Sequence, residues 1–184
     1  ESEHFSTVCT DNDEVGLMAA TKIRQKGYTE AAIFASRHSY FATSQRVQAF
    51  ISSCERLGIE TDEKYILKGS STRNGGYEIG KQYAALKEPP KMIFCDSDAI
   101  ALGALRAFHE EGISVPGDAE LLSIGMLDPE AASYYVPSLS VVEMPNKEIG
   151  QQVLRLMRKK VLNNDISSEH VKVHAKLMLR ESFS

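Results

Sequence analysis

The run from Lys91 to Pro116, with the apolar segment Leu121–Gly125 close behind it, constrains the fold more than any other part of the chain. Met92 to Cys95 is an apolar run of strand length, and Asp96, Ser97 and Asp98 form an acidic turn after it. The residues that follow have helical apolar spacing, ended by a glycine stop and a Val-Pro exit. Strand, helix and second apolar strand make one βαβ unit, and such a unit implies a parallel sheet. Ligands of parallel α/β sheets gather where strands end and helices begin, which is where Asp96, Ser97 and Asp98 stand.

The rest of the chain alternates in the same way. Phe5–Cys9 reads as a short strand, and Asn12 or Asp13 can cap a helix over 14–26 that stops at Gly27. Ala31–Ser36 is the next strand. A helix over 45–57 follows, with Val47, Phe50, Ile51, Cys54 and Leu57 on its apolar face. Tyr65–Lys68 reads as a strand, Gly69–Gly76 as a loop, and 77–86 as a helix ended by Pro89-Pro90. Beyond the opening unit come an irregular stretch to Pro137, a strand at Ser140–Met144, a helix at Asn146–Leu162 and a last strand at Val171–Leu179. This order predicts an α/β fold with a doubly wound, mainly parallel sheet in three αβα layers.

At 184 residues the chain suffices for one domain, or one large lobe with a small appendage. Its net charge of -4 argues against a large nucleic-acid surface. No apolar run approaches the roughly 20 residues that cross a bilayer, and the polar start Glu1–His4 does not read as an export signal, so no membrane contact is expected. Cys9, Cys54 and Cys95 are scattered and odd in number, which disfavours a disulfide framework or a zinc site. A cytoplasmic setting is expected. The five histidines share no metal spacing, and neither a metal nor a cofactor is expected.

The candidate site residues are polar groups at predicted strand ends: Asp11, Arg46, Ser70, Ser71, Asp96 to Asp98, and Asp128. Carboxylates accept from hydroxyls and a guanidinium donates a forked pair, so this set suits a polyhydroxylated ligand. Taken singly, several have a plainer reading as helix caps or solvated loop residues. Asp96 and Asp98 also have the Asp-x-Asp form of a magnesium-dependent, haloacid-dehalogenase-like phosphatase, in which one carboxylate attacks phosphorus and the other moves a proton. That chemistry needs a further acidic pair and a lysine, and only Asp128 is at hand. Gly75, Gly76 and Gly80 lack the Lys-Ser/Thr ending of a phosphate loop and read as turn glycines. No Gly-x-Ser-x-Gly elbow supports a serine hydrolase.

Several motifs then stand in a recognisable order. Asp11-Asn12 precedes a helix ending at Gly27-Tyr28, and Arg46 stands four residues before Phe50. The densest block runs from Asp98 through Gly103 to Val115-Pro116, Ile124-Gly125, Pro137 and Leu139. Glu148 to Gly150 and Arg180 to Ser182 complete it. In these the chain resembles the effector-binding, C-terminal portion of LacI/GalR-family bacterial transcriptional regulators, which are similar to type I periplasmic sugar-binding proteins.

The resemblance implies a periplasmic-binding-protein-like fold, here mostly the second of its two lobes. It assigns 1–28 to a strand and helix crossing from the first lobe and 29–139 to the second-lobe core. Residues 140–165 become a strand and helix of the first lobe, and 166–184 a strand returning to the core. It implies a sensor rather than an enzyme, with a small effector, a sugar or sugar-phosphate-like molecule, between the lobes. Operator DNA would be bound only through a helix-turn-helix headpiece that this sequence does not contain. A transport-type sugar-binding protein shares the fold and is the rival reading. The implied cleft residues are Asp11, Arg46, Ser70, Ser71, Ser97, Asp98, Leu127 and Asp128. Ser97 stands where an asparagine is usual, and Leu127 where an acid is common. A homodimer is implied, through Leu102, Leu105 and Arg106 and through Tyr134 and Tyr135.

Overall fold

The computed structural model describes residues 5–37, 41–125, 129–163 and 167–184. Its centre is a six-stranded sheet in the order β3-β2-β4-β5-β6-β8. The strands are β2 (Ala32–Ser36), β3 (Ile66–Gly69), β4 (Met92–Cys95), β5 (Glu120–Gly125), β6 (Ser140–Glu143) and β8 (Lys176–Met178). All pairings are parallel except that of β8 with β6. Strands β2, β4 and β5 are buried along their whole length, which is why they read as unbroken apolar runs.

Helices cover both faces. α1 (Asn12–Gln25) and α2 (Phe41–Arg56) pack on one side, where Ile23 and Phe50 meet Ile33, Phe94 and Leu122. α3 (Arg73–Ala84) and α4 (Asp98–Glu111) pack on the other, where Tyr83 and Phe108 meet Phe34, Ile93 and Leu121. The Phe50 ring lies flat on Phe94 at 3.9 Å between centroids, while Tyr83 and Phe108 meet Phe34 edge-on. The three-layer, doubly wound arrangement expected from the alternation is the one found.

Four local expectations are corrected. The stretch 69–76 is only partly loop: α3 begins at Arg73, and Thr72 caps it by accepting from the Gly75 amide at 3.1 Å. Gly75 and Gly76 are helix residues against crowded neighbours, for a Cβ on Gly76 would lie 2.1 Å from the Ile100 carbonyl oxygen. The stretch before Pro137 contains a short helix, α5 (Pro129–Ser133). The alternating run at 171–179 is two strands, because its partner changes midway. β7 (His170–Val173) pairs with β1 (Thr7–Thr10) in a separate two-stranded parallel sheet, and β8 closes the edge of the large one.

The assignment of 140–165 to a first lobe also changes. β6 lies inside the large sheet between β5 and β8, since Val141 and Val142 are buried on its opposite faces. α6 (Asn146–Asn163) runs against β1 and β7 instead. The start of α1 is capped by Asp11, which accepts from the Glu14 amide, in place of Asn12 or Asp13. No helix among the described residues is long and apolar enough to cross a membrane.

Candidate functional site

In the order β3-β2-β4-β5, the connection leaving β2 runs to β3 and the one leaving β4 runs the opposite way to β5. That reversal opens a crevice at the carboxyl ends of β2 and β4. The hydrogen bonds show the chains parting there. The Asp96 amide still donates to the Phe34 carbonyl at 3.0 Å, continuing the β2–β4 ladder. One residue on, the Ser36 amide donates to Asp96 Oδ2 at 2.6 Å, and the Arg37 amide turns away to the Gly69 carbonyl of β3.

Asp96 is 1% exposed, and its Oδ1 has no hydrogen-bond partner among the described residues. Burial pushes its carboxyl above the usual range, against the pull of the Ser36 amide, Ser97 and the Arg46 guanidinium. Arg46 is 7% exposed on α2, and burial lowers its basicity while the Asp96 charge supports it. Its Nε donates to Asn12 Oδ1 at 3.2 Å, and Asn12 Nδ2 donates to Gln45 Oε1 at 3.1 Å. The first turn of α1 is thereby tied to the first turns of α2.

The other expected site residues divide between scaffold and surface. Ser97 is the N-cap of α4 and accepts from the Ile100 amide at 3.4 Å. Asp98 follows as the first helical residue, buried, where the positive end of the helix favours a carboxylate. Asp11 caps α1 and pairs with Lys172 of β7 at 3.2 Å. Burial would raise its carboxyl, but Lys172 and the amides of Glu14 and Asp13 hold it below the usual value. Asp11, Asn12, Gln45, Phe41 and Lys172 line a cavity of about 770 Å³ between α1, α2 and the small sheet.

Ser70 and Ser71 are exposed in the turn after β3, with Ser70 Oγ 2.9 Å from Thr72 Oγ1. Leu127 and Asp128 lie outside the described residues. The cleft set that the resemblance implies left out Asp96, Asn12 and Gln45, although Asp96 stood among the polar strand-end residues of the sequence.

On the outer side of α4, Leu102 and Leu105 are half-buried and Arg106 is exposed, its Nε 2.7 Å from Glu110. Tyr134 is 77% exposed, whereas Tyr135 packs on the Phe34 side of the core. Of these five, Arg106 and Tyr134 are exposed.

The comparisons with known proteins agree with this architecture. Residues 20–183 match the family described as periplasmic binding protein-like domain. The HTH-type transcriptional repressor PurR of Mannheimia succiniciproducens is 27% identical over 169 residues, covering 92% of this chain and 50% of that protein. The chain spans about half the length of the curated relatives it matches. Among solved structures, a LacI family transcription regulator from Clostridium acetobutylicum superposes with a TM-score of 0.92 at 30% identity, over 98% of this chain and 67% of that one. A LacI family regulator from Enterococcus faecium, solved with bound ribose, has the same fold at TM-score 0.87 and 20% identity, over 100% of this chain and 67% of that one. The chain belongs to the periplasmic binding protein-like domain family, in the branch formed by LacI-type transcription regulators.

Proposed function

We propose that the chain is the effector-sensing part of a LacI-type transcriptional regulator, and that it binds a small carbohydrate-like molecule in the crevice at the ends of β2 and β4. The observation that carries this is the Arg46–Asp96 pair, two charged groups buried at the point where the strand order reverses. Ser97, Asp98 and the turn at Ser70 and Ser71 follow the strands of the same edge, and Leu127 and Asp128 come after β5 in sequence. Carboxylates, hydroxyls and a guanidinium there suit sugar hydroxyls. The structural neighbour from Enterococcus faecium was solved with ribose, which fits that chemistry.

In the whole regulator, the cleft closes between this lobe and a first lobe rooted in β1, β7 and α6. The Asn12–Arg46 contact joins the cleft to the helix leaving β1, so occupancy can bias the lobe orientation that a DNA-binding headpiece senses. The direct relatives are repressors, consistent with a sensor in place of an enzyme. Calorimetric titration with uncharged mono- and disaccharides tests the reading. Asp98→Ala is expected to weaken the best binder roughly 10- to 100-fold, the loss of one charge-assisted hydrogen bond. Equal affinity would remove Asp98 from the site, and a panel that leaves the protein untouched would reject the carbohydrate reading.

The same reading places a homodimer on the strip formed by Leu102, Leu105, Arg106, Tyr134 and Tyr135. Sedimentation is expected to show dimers at micromolar concentration, and Leu105→Glu to shift them to monomers, since a charge at an apolar contact must be desolvated. Monomers throughout would reject this face.

A further inference from the structure

Asp96 lies one strand step past Phe94 on the same face of β4, and Arg46 lies one helical turn before Phe50 on the same face of α2. Residues two apart share a strand face and residues four apart share a helix face. Phe50 stacks on Phe94 at 3.9 Å, and beyond that contact the Arg46 and Asp96 charges lie near enough to act on each other. Oδ2 of Asp96 is fixed by the Ser36 amide, while Oδ1 is buried and has no hydrogen-bond partner among the described residues. A buried acceptor of this kind is satisfied by a donor entering the crevice.

A buried guanidinium by itself is a phosphate or carboxylate receptor. The Asp96 charge offsets part of the field of Arg46, so an anion approaching the guanidinium also meets a fixed carboxylate. We propose that Asp96 selects ligand charge in this crevice: its free oxygen receives a hydroxyl of an uncharged polyhydroxylated ligand, and its negative charge keeps phosphorylated ligands off Arg46. The inference rests on the effector-binding reading above and adds to it the class of effector admitted.

The test uses inorganic phosphate as the probe and the Arg46 Nε–H resonance as the readout. The wild-type chain is expected to show no saturable shift at millimolar phosphate. Asp96→Asn keeps an oxygen for the Ser36 amide but removes the charge. It is expected to bind phosphate at Arg46 at least about tenfold more tightly, and adding Arg46→Ala is expected to abolish that gain. Asp96→Ala, run beside it, is expected to show the same gain. Wild type binding phosphate at Arg46 as tightly as the variants would overturn the inference, and so would variants that gain nothing. A sugar phosphate binding the wild type more tightly than its uncharged parent would overturn it too. If sugars of neither kind bind, the effector reading fails separately, and the phosphate arm alone decides the role of Asp96.

Discussion

Replacing Gly103 by valine is expected to lower the stability of the fold by roughly 3 kcal/mol or more, enough to remove a large share of what holds a domain of this size together. Gly103 lies in the middle of α4 where α3 crosses it. A Cβ there would stand 1.9 Å from the Arg73 carbonyl oxygen and 2.5 Å from the Tyr77 amide nitrogen. Both are backbone atoms, so no side chain can swing aside and the helices must separate. Gly76 faces α4 in the same way, with the Ile100 backbone 2.1 Å from its would-be Cβ. The comparison is Gly150→Ala in α6, where nothing lies within 4 Å of the new methyl. That change removes the conformational cost of a helical glycine and is expected to stabilise by up to about 1 kcal/mol. Urea titrations of the two variants check the pair. A Gly103 variant as stable as wild type would mean that α3 and α4 are not held at this distance.

The same crossing shows where sequence and structure part. Apolar runs and their caps sufficed for the layered sheet, because strands buried on both faces and helices with one apolar stripe leave few other ways to hide that surface. Gly75 and Gly76 misled because a glycine between a strand and a helix reads equally as a turn. What distinguishes Gly76 is the backbone of Ile100, which lies far along the chain, while Gly75 is crowded by Ser70. The 171–179 run misled for a related reason. Alternation reports which side of a strand is buried and says nothing of which strand it pairs with, and the partner changes from β1 to β6 within that run.

Part of the candidate site was legible on the same terms. Arg46 and Asp98 stand out by residue type and position. Asp96 stood out as a strand-end acid too, but its contact with the Ser36 amide, sixty residues away, and its near-complete burial could not be read from the sequence. Asp11 shows a related case. It looks like a cleft acid in sequence, and what the sequence does not show is that its carboxylate caps α1 and pairs with Lys172.

Arg46→Met is expected to cost roughly 3 kcal/mol of stability near neutral pH, and that loss is expected to shrink as the solution is acidified. Methionine fills a similar volume but leaves the Asp96 carboxylate buried without its counter-charge. In the wild type, burial already raises the Asp96 carboxyl above its unfolded value, with the Ser36 amide, Ser97 and Arg46 restraining the rise. A carboxyl raised on folding holds its proton more firmly in the folded state, so stability falls as pH climbs from the unfolded value through the folded one. Without Arg46 the folded value moves further up, and the window of falling stability widens toward neutrality. Below the ordinary carboxylate range both states carry the proton, and only the lost packing and the Asn12 contact remain as the penalty. Adding Asp96→Asn to Arg46→Met is expected to restore most of the neutral-pH loss and to flatten its pH dependence, since asparagine keeps the Ser36 contact without the charge. Denaturation of the single and double variants at about pH 4.5 and pH 7.5 decides the matter. A loss that is the same at both values would mean that Asp96 does not depend on Arg46, and the two would then not act as a unit at the floor of the crevice.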